Sequence, residues 1–166
     1  MIRLEEKYLT TPTNVILEVD YNKTLGLANK VATWVKTRKA YAISANQLGL
    51  TERFFIAHRK YKKWKLPTTI YFNPTFKPIN KDDIVLSPES CLSYPGRSFN
   101  IPRFLEIELS YYCPWDKELK QVVLKNLAAI ICQHEIMHLN GQNETLLHIE
   151  DVDAWYKTKK EDANEK

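Results

Sequence analysis

Between Asn22 and about Lys39 the apolar residues Leu25, Ala28, Val31, Ala32 and Val35 recur at intervals of three and four. That spacing is one face of an amphipathic helix, with Asp20 or Asn22 as its N-cap. Arg53–Ala57 and Thr69–Phe72 are short apolar runs that read as strands, the second stopping at Asn73-Pro74. From Phe104 to Tyr112 apolar and polar residues alternate, Pro114–Lys117 has turn chemistry, and Gln121–Leu124 returns as a partner strand. Together they predict a hairpin.

Asn126 stands where an N-cap is needed, and Leu127–Leu139 follows, apolar on nearly all sides. A helix of that composition belongs in a core, and Gly141 suits its C-terminal cap. Strands followed by a buried helix predict an α+β domain with antiparallel sheets around that central helix. No repeat or low-complexity linker divides the chain. Residues 1–166 therefore read as one catalytic domain with a polar tail from about residue 155.

The composition, 44% apolar and 27% charged, is that of an ordinary globular protein. No apolar run approaches the roughly 18 residues that cross a bilayer, so no membrane partner is expected. The acidic and basic start, Met1–Lys7, has no apolar core of a signal peptide. A cytoplasmic setting follows, the host's for a viral chain. The three cysteines make no disulfide framework. The net charge of +4 is mild. Arg59–Lys65 interleaves basic and aromatic residues, but without a nucleic-acid motif it reads as a solvated loop, and no specific nucleic acid is expected.

The chemistry lies in His134-Glu135-Ile136-Met137-His138, an H-E-x-x-H sequence. Residues four apart share a helix face, so two imidazoles can converge on one metal ion while Glu135 reaches a water beside it. A catalytic ion needs a third protein ligand. Cys91, in the Ser- and Pro-bounded segment Glu89–Gly96, is one candidate. Glu144 falls where metzincin proteases place a third histidine, and Glu150 where thermolysin-like proteases place a glutamate, though sooner than usual.

Three segments taken together resemble the peptide deformylase family. Its G-x-G-x-A-A-x-Q, E-G-C-L-S and Q-H-E-x-D-H motifs correspond, in order, to Ala40–Gln47, Glu89–Ser93 and Gln133–His138, with Asn73-Pro74 between the first two. The resemblance covers most of the chain up to Gly141. It departs at Ala40, Ala42, Ser44, Ser90 and Met137, where the family has glycine, glycine, alanine, glycine and aspartate. Met137 removes a carboxylate that could support a histidine. The segment after Gly141 is also unlike the bacterial pattern, as a diverged, phage-type form would be.

The resemblance implies hydrolysis of the formyl group from N-formylmethionyl nascent peptides. It implies Cys91, His134 and His138 as metal ligands and Glu135 as proton carrier. The Gln47 side chain and the Leu92 backbone N–H would be donors to the oxyanion. Ala42 and Ser90 lie where the family pairs its backbone with the substrate. Tyr41 or Ile43, with Leu127 and Ile130, suit the methionine slot, although plain core packing accounts equally for Leu127 and Ile130. Arg97 resembles a substrate-facing arginine, a free surface arginine being the other account. Glu89 and Arg103 resemble a pair that steadies the cysteine loop.

Ferrous iron is the ion expected in the cell, with zinc, nickel or cobalt in preparations. Contact with the ribosome is a further expectation. Cys132 reads as a buried small residue, and Cys113, His58 and His148 carry no functional signal. Two rivals remain at this stage: an endopeptidase with Glu144 or Glu150 as third ligand, and a non-catalytic deformylase-like protein that binds peptides.

Overall fold

The computed structural model describes residues 6–38, 40–58 and 66–143. Residues 59–65, Glu144, His148, Glu150 and the polar tail lie outside the described residues.

The first helix, α1, spans Tyr21–Arg38 and buries Thr24, Ala28, Val31 and Val35. Leu25 and Ala32 flank this stripe and pack against the core from partly buried positions. Strands β1 (Ala42–Ser44), β2 (Phe54–Ala57), β3 (Ile70–Pro78), β6 (Glu106–Cys113) and β7 (Glu118–Lys125) form a five-stranded sheet in the order β1-β2-β3-β6-β7. Strands β4 (Ile84–Ser90) and β5 (Ser98–Phe104) form a separate two-stranded sheet. Every pairing between these strands is antiparallel. The α+β architecture with antiparallel sheets is thus the one expected.

β2 is buried at all four positions, so both its faces are covered. α1 and α2 (Leu127–Leu139) both touch it. On the α1 face Tyr21 lies tilted against Tyr112, ring centroids 4.1 Å apart, and against Phe72. The pleat sends Phe55, Tyr71 and Tyr111 to the other face, where Phe55 and Tyr71 stack at 4.3 Å. Side chains of this size each contribute about 1.5 to 3 kcal/mol when buried. α2 touches all five strands of the large sheet and also β5. Ten of its thirteen residues are buried, which explains its largely apolar sequence.

Three local expectations change. The strand predicted to end at Phe72 continues to Pro78 through a register shift between Phe72 and Thr75. Asn73 takes φ 49° there, and its side chain binds both the N–H and the C=O of Ile16. Pro74 falls within the irregularity, where no N–H is demanded of it. The alternating run from Phe104 to Tyr112 is divided at Leu105, which turns the chain from one sheet to the other. Its N–H goes to Asp83 and its C=O receives the N–H of Asn126. Asn126 precedes α2 as expected but does not cap it with its side chain. It supplies instead a positive φ of 53°, which asparagine tolerates better than most residues.

The end of α2 follows the sequence more closely. Gly141, at φ 74°, sends its N–H to the His138 carbonyl, and Gln142 sends its N–H to that of Met137. These are the two bonds of a Schellman cap. A Cβ at Gly141 would stand 2.8 Å from Pro12 Cδ and from Pro12 N, so the position requires glycine for space as well as for φ.

Candidate metal centre

Four elements converge on the site. α2 carries His134, Glu135 and His138 on successive turns. The hairpin of β4 and β5 carries Cys91 at its tip. A loop from Cys91 to Arg97 closes there through Tyr94 N–H to Cys91 O and Arg97 N–H to Tyr94 O, with Gly96 at φ 77°. The end of β1 runs into a 3-10 turn, Ala45–Leu48, that carries Gln47.

Cys91 Sγ lies 3.4 Å from His138 Nε2, which lies 3.2 Å from His134 Nε2. The three ligand atoms fall within 4.8 Å of one another, and all three residues are buried or nearly so. Tetrahedral zinc with ordinary Zn–N and Zn–S bonds would set N···N and N···S edges of about 3.3 and 3.6 Å. The Cys91–His138 and His138–His134 separations fit those edges. Glu144 and Glu150, the rival third ligands, lie outside the described residues, but Cys91 already stands with the histidines.

The electrostatics also suit a cation. Burial pushes the Cys91 thiol up, but hydrogen bonds with His134 and His138 and their charges outweigh it and hold it below its ordinary value. Burial likewise pushes the Glu89 carboxyl up. Bonds to Arg103 and His134, with the charges of both, bring it down to about 2. Cys91 and Glu89, both shifted toward their ionised forms, therefore bracket the two imidazoles.

Glu89 and Arg103 share the inward face of the β4–β5 hairpin, as the alternation requires. Arg103 Nε and an Arg103 terminal nitrogen grip the two carboxylate oxygens at 2.9 and 2.8 Å. Glu89 Oε2 is also 2.7 Å from His134 Nδ1. The support for this histidine, expected to be lost with the aspartate at position 137, thus comes from Glu89. Met137 turns its sulfur to Arg103 at 3.7 Å. Gln133 ties the helix to β5, donating to Phe104 O and accepting from Phe104 N–H.

Gln47 is buried beside the cysteine. Its Nε2 is 3.4 Å from Cys91 Sγ and 2.9 Å from Ser93 Oγ. Glu135 is buried next to His134. Leu92 follows Cys91 at a half-exposed position, and Ser90 is exposed. Ala42 and Ser90 sit on strands that have a neighbour on one side only among the described residues.

Tyr41 and Leu127 are exposed and Ile130 is partly so, whereas Ile43 is wholly enclosed in the core, so its side chain cannot line a cleft. Arg97 is exposed and stacks on Phe99 and Tyr94, 5.0 and 5.7 Å from their ring centres. Cys132 is fully buried in the core and its thiol is pushed up by that burial, as a packing residue would be. Sequence reasoning missed the contact of Glu89 with His134 and the hydroxyls of Ser44 and Ser93 around Gln47. The only signal was that Ser44 replaces an alanine.

The sequence pattern of the polypeptide deformylase family matches residues 1–149. A peptide deformylase of Prochlorococcus marinus is 31% identical over 141 residues, which is 84% of this chain and 67% of that protein. In structure, a probable peptide deformylase from a Synechococcus phage superposes with a TM-score of 0.76 at 20% identity, covering 87% of this chain and 98% of that one. The class I type b peptide deformylase of Acinetobacter baumannii, solved with Met-Ala-Ser bound, superposes at 0.72 with 21% identity, covering 87% and 95%.

Proposed function

The chain belongs to the polypeptide deformylase family and is a metal-dependent hydrolase that removes the formyl group from the N-terminus of nascent peptides, and we propose that Cys91, His134 and His138 hold its metal while Glu135 moves the proton. The observation that carries this reading is the convergence of one sulfur and two imidazole nitrogens within 4.8 Å of one another. In this reading α2 is the central, metal-bearing helix.

Held by Cys91, His134 and His138, a divalent ion would supply Lewis acidity for the formyl carbonyl and would lower the pKa of water. Glu135 takes the proton of the attacking water and returns it to the departing amine, so that formate and a free N-terminus result. The Gln47 amide and the Leu92 N–H donate to the developing oxyanion, a role that contributes about 3 to 4 kcal/mol per donor. Glu89, held by Arg103, accepts from His134 Nδ1–H and so keeps Nε2 as the ligand atom.

The substrate backbone lies along the open edges at Ala42 and Ser90, as an added strand would. Ile43 contributes backbone only. Tyr41, Leu127 and Ile130 offer apolar surface to the methionine side chain, with Arg97 at the rim. The A. baumannii enzyme's Met-Ala-Ser ligand has the chemistry of a deformylated product, so N-formylmethionyl peptides are the expected substrates here. Ferrous iron is the ion we assign to the cell, and zinc, nickel or cobalt to preparations. The cytoplasm, where nascent chains emerge, is the setting, and a weak ribosome contact belongs to the same reading. No helix among the described residues is long and apolar enough to cross a membrane.

Formate release from formyl-Met-Ala-Ser, with iron or cobalt bound under anaerobic conditions, tests the proposal. Steady release supports it. Absence of release from metal-loaded protein would favour the peptide-binding, non-catalytic alternative.

A further inference from the structure

We propose that Ser44 is a positioning residue for this hydrolysis: its hydroxyl, together with its own backbone N–H, locks the orientation of the Gln47 carboxamide. The inference rests on the reading of Gln47 as an oxyanion donor. It goes beyond that reading by naming what aims the donor in this chain.

The geometry is closed on all sides. Ser44 ends β1 and has none of its surface exposed, and Gln47 is 2% exposed. Gln47 Oε1 accepts two hydrogen bonds, from the Ser44 N–H at 3.0 Å and from the Ser44 hydroxyl at 3.0 Å. A backbone N–H can only donate, so the atom facing it must be the oxygen. The amide nitrogen then faces the other way, toward Cys91 Sγ and Ser93 Oγ.

Rotating the carboxamide by half a turn would set its oxygen against the sulfur and its N–H2 against the Ser44 N–H. It would forfeit the bond from the Ser44 N–H and force the Ser44 hydroxyl, which now donates, to accept instead, so its donation to the amide oxygen would be lost. An alanine at position 44, the residue in the family's motif, would leave the backbone N–H as the one anchor. The serine adds a second and fills both acceptor sites of the amide oxygen. Hydrogen bonds accepted by a carbonyl oxygen also draw electrons from the amide and strengthen its N–H as a donor. A serine that merely satisfied its own buried hydroxyl would leave turnover independent of Gln47.

A double-mutant cycle separates these roles. Ser44→Ala, Gln47→Ala and the pair are assayed for formate release from formyl-Met-Ala-Ser as the cobalt-loaded enzymes. Loss of one neutral hydrogen bond acting on the donor lowers kcat about fivefold, with KM within about twofold. In the Gln47→Ala background the Ser44 substitution has no further effect. Ser44→Cys, which keeps the buried volume but donates weakly, falls in kcat like the alanine variant.

A readout independent of activity comes from the Gln47 side-chain amide in 15N–1H spectra of the metal-free protein. Its two protons give separate, sharp peaks in the wild type and move or broaden in Ser44→Ala. Wild-type kcat in Ser44→Ala, or the same loss with and without Gln47, overturns the role of Ser44 alone. An unchanged kcat in Gln47→Ala overturns the underlying reading of Gln47 and this inference with it.

Discussion

One carboxylate oxygen, Oε2 of Glu89, joins two buried groups of different function: it lies 2.7 Å from His134 Nδ1 and 2.8 Å from an Arg103 nitrogen. The imidazole is thereby fixed to the β4–β5 hairpin that also presents Cys91, so two of the proposed ligands, from distant parts of the sequence, are held together through one carboxylate. Glu89→Gln keeps the shape and removes the charge. Metal affinity should fall about 10- to 100-fold, read by competition with a chelator. Stability should fall by about 3 to 5 kcal/mol because Arg103 loses its buried counter-charge. Unchanged affinity would mean that His134 needs no such anchor.

Cys91→Ala should lose bound metal, whereas Glu144→Ala should retain it, as measured by elemental analysis after dialysis. Loss of metal in the second variant alone would favour an endopeptidase-like ligand set.

Glu135→Gln should keep its metal and lose about 10²- to 10⁴-fold in kcat. Near-normal turnover would move the proton transfer to another group.

Gly141→Ala should destabilise the fold by about 2 to 4 kcal/mol, the sum of left-handed backbone strain and overpacking against Pro12. The urea midpoint should drop at constant slope. A shift of a few tenths of a kcal/mol would show that Pro12 gives way freely.

Asn73→Ala should cost about 2 kcal/mol, from two hydrogen bonds to Ile16 and an unfavourable φ. Asn73→Gly removes the same bonds but accepts the backbone, so its loss should be the smaller. The reverse order in denaturant titrations would assign the position to side-chain packing.

The features legible in the sequence are those set by neighbours along the chain. α1 follows from a three-four spacing, the β6–β7 hairpin from alternation around Pro114–Lys117, and α2 from an apolar run closed by Gly141. His134 and His138 could be paired because four residues make one helical turn. The third ligand was settled locally by nothing: Cys91, Glu144 and Glu150 stayed open until the motif resemblance singled out Cys91.

What tertiary structure decided are the contacts between segments far apart in sequence. Cys91 meets His138 across 47 positions and Glu89 meets His134 across 45. Such pairs are fixed only when α2 docks against both sheets. The same holds for Ile43, apolar and near the site by motif yet wholly inside the core, and for Asn73, where a strand continues because Ile16 binds the irregularity. Periodicity records which face is buried, but not which segment covers it, because that partner is chosen by packing of the whole chain.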